Sequence, residues 1–196
     1  MRAFHRALRR AGGSSVIVAG PDKLAPVAAE VSRAFRVPAS ETDGYADEIL
    51  TVAVAEDVAL VVPTSPEGIR PLAEAASRFS KAGIRVAVSP ADTVAICRDQ
   101  YQVGRSLARL WVPTIETYLP QQLPHSQAFP LVVRPRYGSS DGSVFVARDT
   151  ADLAFFLNYV GEPVVQPFVD GPEFAVDVVC GADGSALSIT PRDRFS

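Results

Sequence analysis

Pro130-Leu131-Val132-Val133-Arg134-Pro135-Arg136-Tyr137-Gly138-Ser139-Ser140-Asp141-Gly142-Ser143-Val144 runs from a short apolar strand through a basic residue and a stretch of small residues into a second strand. Leu131 to Val133 are β-formers, and Arg134 places a permanent charge at their end. The Gly/Ser stretch lets backbone N–H groups approach an anion closely. Two readings fit these residues: a hairpin that grips the phosphates of a nucleotide, and an ordinary surface hairpin with a Ser-rich turn, since Gly and Ser punctuate most loops.

Downstream of the hairpin the spacing predicts a helix over Thr150 to Tyr159, a strand over Val164 to Phe168, and strands over Glu173 to Cys180 and Ala186 to Thr190. Asp183-Gly184 is a strong turn signal between the last two. Upstream, Asp92 to Arg98 and Gln100 to Leu110 read as helical. A loop-rich region punctuated by Pro113, Pro120, Pro124 and Pro130 follows, and it includes Trp111. These elements make residues 91–196 an α+β unit with mainly antiparallel strands.

Residues 1–90 have a different rhythm. A short amphipathic helix, Phe4 to Ala11, ends at Gly12-Gly13 and precedes an apolar strand over Ser15 to Ala19. Pro26 to Phe35 reads as a helix or helical turn, Ala46 to Glu56 as another, and Val58 to Val62 as a strand whose continuous apolar run suits a parallel sheet covered on both faces. Glu67 to Ala82 carries Ile69, Leu72, Ala73, Ala76 and Phe79 at helical spacing, Gly83 caps it, and Ile84 to Val88 is the next strand. The alternation implies an α/β, doubly wound, Rossmann-like parallel sheet.

Composition narrows the function. With 196 residues and 47% apolar content the chain can bury one large core or two small ones. A net charge of −3 with dispersed basic residues argues against nucleic acid as a partner, because backbone binding needs a clustered basic face. The Arg2 to Arg10 cluster reads as a solvated helix face. Cys97 and Cys180 have no CxxC partner, so neither a disulfide framework nor a zinc site is suggested and a reducing cytoplasm fits best. No apolar run reaches the roughly 20 residues of a membrane span.

The collinear order of several segments resembles the ATP-grasp superfamily, and most closely stand-alone proteins similar to the carbamoyl phosphate synthetase large subunit. The segments are Leu24-Ala25-Pro26, Leu60-Val61-Val62-Pro63-Thr64 with Glu67, Ile96-Cys97-Arg98-Asp99, Phe129 to Val144, and Val164-Val165-Gln166-Pro167-Phe168-Val169-Asp170-Gly171-Pro172-Glu173-Phe174. The resemblance implies a pre-ATP-grasp domain over 1–90 and the nucleotide-gripping lobe and hinge of an ATP-grasp domain over 91–196. It implies ATP as ligand, held by Arg134 at the α- and β-phosphates, by a loop of Gly138, Ser139, Ser140 and Gly142, and by Gln100 at the start of a helix. Gln166, Pro167 and Val169 would form the hinge at the adenine edge, with Glu173 accepting from the ribose hydroxyls.

Departures from the family's pattern are specific. Relatives carry Lys or Arg after the Asp of the Asp99 motif, whereas this chain has Gln100, which loses the charge-assisted part of a phosphate contact. Asp141 places a carboxylate where phosphate oxygens would lie. The resemblance locates the Mg2+ ligands in a carboxy-terminal lobe, so no residue of this chain is assigned to metal, and the first strand with its Gly-rich turn is expected to be missing as well. Two functions follow: a carboxylate–amine ligase acting through an acyl phosphate and incomplete as a catalyst alone, with Arg192 or Arg194 near the acyl substrate, and a non-catalytic nucleotide-binding or interaction module. The implied partners are ATP, a small carboxylate, and either a homodimer mate or a chain supplying the other lobe.

Overall fold

The computed structural model describes residues 2–10, 12–13, 15–21, 31, 33–138, 144–181 and 183–193. They divide into two compact units, Met1–Arg98 and Asp99–Ser196.

The first unit runs α1 (Arg2–Arg10), β1 (Ile17–Gly20), β2 (Arg33–Arg36), α2 (Tyr45–Ala55), β3 (Leu60–Val61), α3 (Pro66–Lys81), β4 (Arg85–Val86) and α4 (Ala91–Cys97). Among the described residues its strands form two parallel pairs, β1 with β2 and β3 with β4. Helix α3 shows why the apolar spacing is legible. Ser65 caps it by accepting from the Gly68 N–H at 3.3 Å, Pro66 occupies the first turn where no N–H is needed, and Leu72, Ala73, Ala75 and Phe79 point inward. Its end is set by Gly83 at φ +77°, a conformation that other residues rarely adopt. The core gathers Val37, Ile49, Ala53, Leu72, Phe79 and Ile84.

One expectation fails here. The stretch Pro26 to Phe35 does not end as a helix, because residues 33–36 are β2, in register with β1 from Ile17↔Arg33 to Gly20↔Arg36. Backbone pairing with β1 outweighs the weak local preference of Arg-Ala-Phe-Arg for a helix. The earlier part of that stretch, with Leu24-Ala25-Pro26, lies outside the described residues.

The second unit runs α5 (Gln100–Arg109), a 3-10 turn (Pro120–Gln122), β5 (Leu131–Pro135), β6 (Phe145–Ala147), α6 (Thr150–Tyr159), β7 (Pro163–Pro167), β8 (Phe174–Cys180) and β9 (Ala186–Asp193). β5 is the centre of an antiparallel sheet ordered β6-β5-β7, and β8 and β9 form a separate antiparallel hairpin. The first residues of α6 are capped by Asp149, whose Oδ1 accepts from Ala151 and Asp152 at 2.9 Å. That helix covers one face of the sheet, where Leu131, Val133, Ala147, Leu153, Val160 and Val165 pack together. The Asp-Gly turn signal is realised with Gly184 at φ +81° and the Asp183 carboxylate accepting from both the N–H and the hydroxyl of Ser185.

Candidate nucleotide site

Alternation along β5 sends Leu131 and Val133 into the core beside α6, and it turns Val132 and Arg134 to the opposite face. The register then places specific neighbours there: Val132 lies opposite Gln166 and Arg134 opposite Val164 on β7. Arg134 and Gln166 therefore mark two ends of one sheet face, two residues or about 7 Å apart along the strand. The Arg134 Nε is buried and has no hydrogen-bond partner among the described residues. A buried guanidinium N–H left without a protein acceptor is costly, and it is receptive to an anion.

The helix that begins at Gln100 is fixed to the end of β5 by an ion pair whose arginine, Arg136, sequence reasoning missed. Asp99, 5% exposed, is the N-cap of α5 and accepts from the N–H groups of Tyr101 at 3.0 Å and Gln102 at 3.2 Å. The same carboxylate receives a fork from Arg136, Nε to Oδ1 at 2.9 Å and one terminal nitrogen to Oδ2 at 2.7 Å. Burial pushes this carboxyl up, but the Arg136 hydrogen bonds and charge, with the two backbone N–H groups, outweigh it and hold Asp99 below its ordinary value. Arg136 also stacks on Tyr101 at 5.5 Å and Tyr137 at 5.0 Å, and its carbonyl accepts from the Gln100 N–H at 2.9 Å. Gln100 thus leaves the helix start within two residues of Arg134 along the chain of β5. The Arg136 charge is matched by Asp99, whereas Arg134 has no carboxylate partner among the described residues.

Toward the hinge, α5 meets the sheet again. Gly104 approaches Thr117 so closely that an added Cβ would stand 3.2 Å from its Oγ1, and that hydroxyl accepts from Gln166 Nε2 at 2.9 Å. Gln166 is therefore held by the protein itself. Just beyond it, the Phe168 N–H donates to the Pro130 carbonyl at 3.1 Å, which makes that pair a hydrogen-bonded one. By the antiparallel alternation the preceding Pro167 directs its carbonyl away from β5, so the missing N–H of a proline costs nothing at this place. Val169 is exposed, as is Glu173 immediately before β8.

Of the expected phosphate loop, Gly138 is exposed at φ +99°, while Ser139, Ser140 and Gly142, with Asp141, lie outside the described residues. Arg192 is engaged across the hairpin by the Asp177 carboxylate, Nε to Oδ2 at 2.5 Å, and Arg194 lies outside the described residues. The residues present suit a polyanionic ligand with a flat polar edge: an orphaned guanidinium N–H at one end of the face and an outward hinge carbonyl at the other. Among the described residues no group of three or more His, Cys, Asp or Glu is placed to hold a metal ion.

Residues 97–193 match the family model of an ATP-grasp domain. The chain carries an ATP-grasp domain. Ahead of it, residues 1–87 match the PylC-like N-terminal domain. Among solved structures, the biotin carboxylase domain of 2-oxoglutarate carboxylase from Hydrogenobacter thermophilus, in complex with MgADP, ADP and bicarbonate, superposes with a TM-score of 0.73 at 14% identity, covering 98% of this chain and 47% of that one. N5-carboxyaminoimidazole ribonucleotide synthetase from Thermotoga maritima gives 0.65 at 18% identity, covering 94% and 49%. The L-amino acid ligase from Bacillus licheniformis gives 0.62 at 19% identity, covering 90% and 50%. The chain thus spans about half the length of these structures. No curated protein matched the sequence. The matches bear out the ATP-grasp resemblance, while the narrower likeness to carbamoyl phosphate synthetase rests on the sequence segments alone. No helix among the described residues is long and apolar enough to cross a membrane.

Proposed function

We propose that the second unit binds ATP as the nucleotide-holding part of a carboxylate–amine ligase that works through an acyl phosphate. The observation that supports this most directly is Arg134, whose buried Nε lacks an acceptor among the described residues at the end of the central strand. There it meets the α- and β-phosphates, with Gln100, Gly138, Ser139, Ser140 and Gly142 around the chain of phosphates. Adenine lies against the hinge at Gln166, Pro167 and Val169, and Glu173 receives the ribose hydroxyls. The clamp between Asp99 and Arg136 keeps the helix start and the strand end at a fixed spacing, so Gln100 and Arg134 are oriented before the nucleotide arrives. Magnesium, when bound, neutralises charge developing on the transferred phosphoryl group. Its ligands and the acyl acceptor site come from residues beyond those of the nucleotide grip, in the same or a partner polypeptide, working in the cytoplasm on a small carboxylate.

A second reading, a nucleotide-binding module without turnover, is favoured by Gln100, which supplies no charge where relatives have one. Titrating the protein with ATP, with and without Mg2+, by calorimetry separates these. ATP binding that weakens about 10- to 100-fold in Arg134→Ala supports the nucleotide site, as expected for loss of a charge-assisted contact of about 1.5–3 kcal/mol. Absence of ATP binding in the intact protein sinks both readings. Phosphate release from ATP in the presence of a carboxylate, by this chain without a second polypeptide, removes the module reading and the need for further residues.

A further inference from the structure

We infer that the run Arg109-Leu110-Trp111-Val112-Pro113-Thr114-Ile115-Glu116, at the C-terminal end of α5, is a self-complementary surface through which two copies of this chain associate about a two-fold axis, with Trp111 as its anchor. The backbone at the helix end is the first observation. The Trp111 N–H donates to the Ala108 carbonyl at 3.1 Å and the Val112 N–H to the Leu107 carbonyl at 3.0 Å, the pair of bonds that closes a helix through one left-handed residue. That residue is Trp111, at φ +59°. Glycine suits such a place because it has no Cβ, and a bulky side chain there is strained.

The indole gains nothing from its own chain in return. Trp111 is 94% exposed and enters no hydrogen bond or ring contact among the described residues. Leu110, Val112 and Ile115 are exposed beside it, so four large apolar side chains within six residues face water. A contiguous apolar patch of this kind marks a contact surface, and Trp and Arg are the residue types that dominate the energetics of protein interfaces. Strain held at a residue that packs on nothing is accounted for when a partner covers it.

Charge names that partner. Arg109 makes no ion pair among the described residues, and the Glu116 carboxylate receives the Tyr118 hydroxyl but no cation. One stands at each end of the apolar run, which therefore reads basic, apolar, acidic. Two copies laid antiparallel place Arg109 of each against Glu116 of the other and Leu110 against Ile115, the reciprocal pairing that an isologous contact requires. An anionic membrane fits less well, because it takes several cations: Arg105 is engaged by the hydroxyl of Tyr101 at 3.1 Å and by its ring, which leaves Arg109 alone. A buried Trp brings about 150–250 Å² to a contact, and the whole surface stays below about 1,200 Å², so the dimer is weak and reversible. The length of α5 separates this surface from Gln100 by about 15 Å, and no feature of the nucleotide grip enters this inference.

Trp111 is the only tryptophan of the chain, so intrinsic fluorescence reads this position alone. The test follows sedimentation velocity and Trp emission of the full chain from about 1 μM to about 1 mM. The expected result is a monomer–dimer equilibrium whose midpoint coincides with a shift of the emission to shorter wavelength. Trp111→Gly should weaken the dimer at least about tenfold with Tm unchanged or raised, because glycine adopts this φ without strain. Arg109→Glu and Glu116→Lys should each weaken it about tenfold, and the double variant should return to within about threefold of the native chain. A monomer throughout, a dimer without the emission shift, or a double variant no better than its parents overturns the proposal. A fall in Tm of more than about 5 °C in Trp111→Gly overturns it too, since the indole would then be packing within its own chain. An emission shift that requires vesicles of phosphatidylcholine and phosphatidylserine, with no dimer in their absence, assigns the surface to a membrane and likewise overturns it.

Discussion

The sheet β6-β5-β7 and the hairpin β8-β9 use the same materials and end in opposite environments. Val133, Val164 and Val165 are fully buried, whereas Phe174, Val176, Val178 and Ile189 are each more than half exposed. On the hairpin the register gathers these four on one face, opposite Asp193, Pro191 and each other, and it leaves Asp177, Thr190 and Arg192 on the other. Each region also contains one Asp–Arg fork. That of Asp99 and Arg136 has side chains only 7% and 24% exposed, while that of Asp177 and Arg192 stands at 58% and 60%. Apolar alternation specifies a face, and burial requires a covering element: α6 supplies it for β5, and none of the described elements supplies it for β8.

Substitutions at matched places measure how far that difference reaches. Val133→Asp puts a charge into the α6-covered core and should cost more than about 4 kcal/mol, seen as loss of the cooperative denaturant transition of the second unit. Asp99→Ala strands Arg136 in a mostly buried site and should cost about 3 kcal/mol in the same measurement, with Arg136→Leu together with Asp99→Leu recovering part of it. Acid should separate the forks further. The Asp99 carboxyl is depressed in the folded state, so its contribution is complete above the ordinary carboxylate range and disappears as pH falls through the depressed value. The stability difference between the native chain and Asp99→Asn should therefore shrink below about pH 4. On the hairpin the effects should be small. Val178→Asp is expected to change stability by no more than about 0.5 kcal/mol, and Asp177→Asn to leave Tm unchanged within error. A large loss at Val178 would show that the apolar hairpin face is covered in solution.

Much of the scaffold was legible because its determinants are local. Asp149 and Ser65 announce helix starts, Gly83 and Gly184 announce stops and turns, and the apolar spacing of Leu72, Ala73 and Phe79 indicates which face of α3 is inward. Arg134 was legible for the same reason, as a basic residue ending a β-branched run. β2 was not, because Arg33 to Arg36 carries little strand signal of its own and takes its conformation from β1. Arg136 was missed because its partner lies 37 residues away. The available signal was parity: a second arginine two places after Arg134, near a helix whose first residue is preceded by an Asp.

Gly104 shows how little room some positions leave. A methyl group there would meet the hydroxyl that already holds the Gln166 amide, and Gln166 lies one residue before the hinge carbonyl. Gly104→Ala would thus press on the Thr117 hydroxyl while leaving every ionic group in place, and under the proposed nucleotide reading it is expected to alter preference among bases more than the grip on phosphate. Under that reading, specificity for the ring would be written on α5, in an atom the helix does not have.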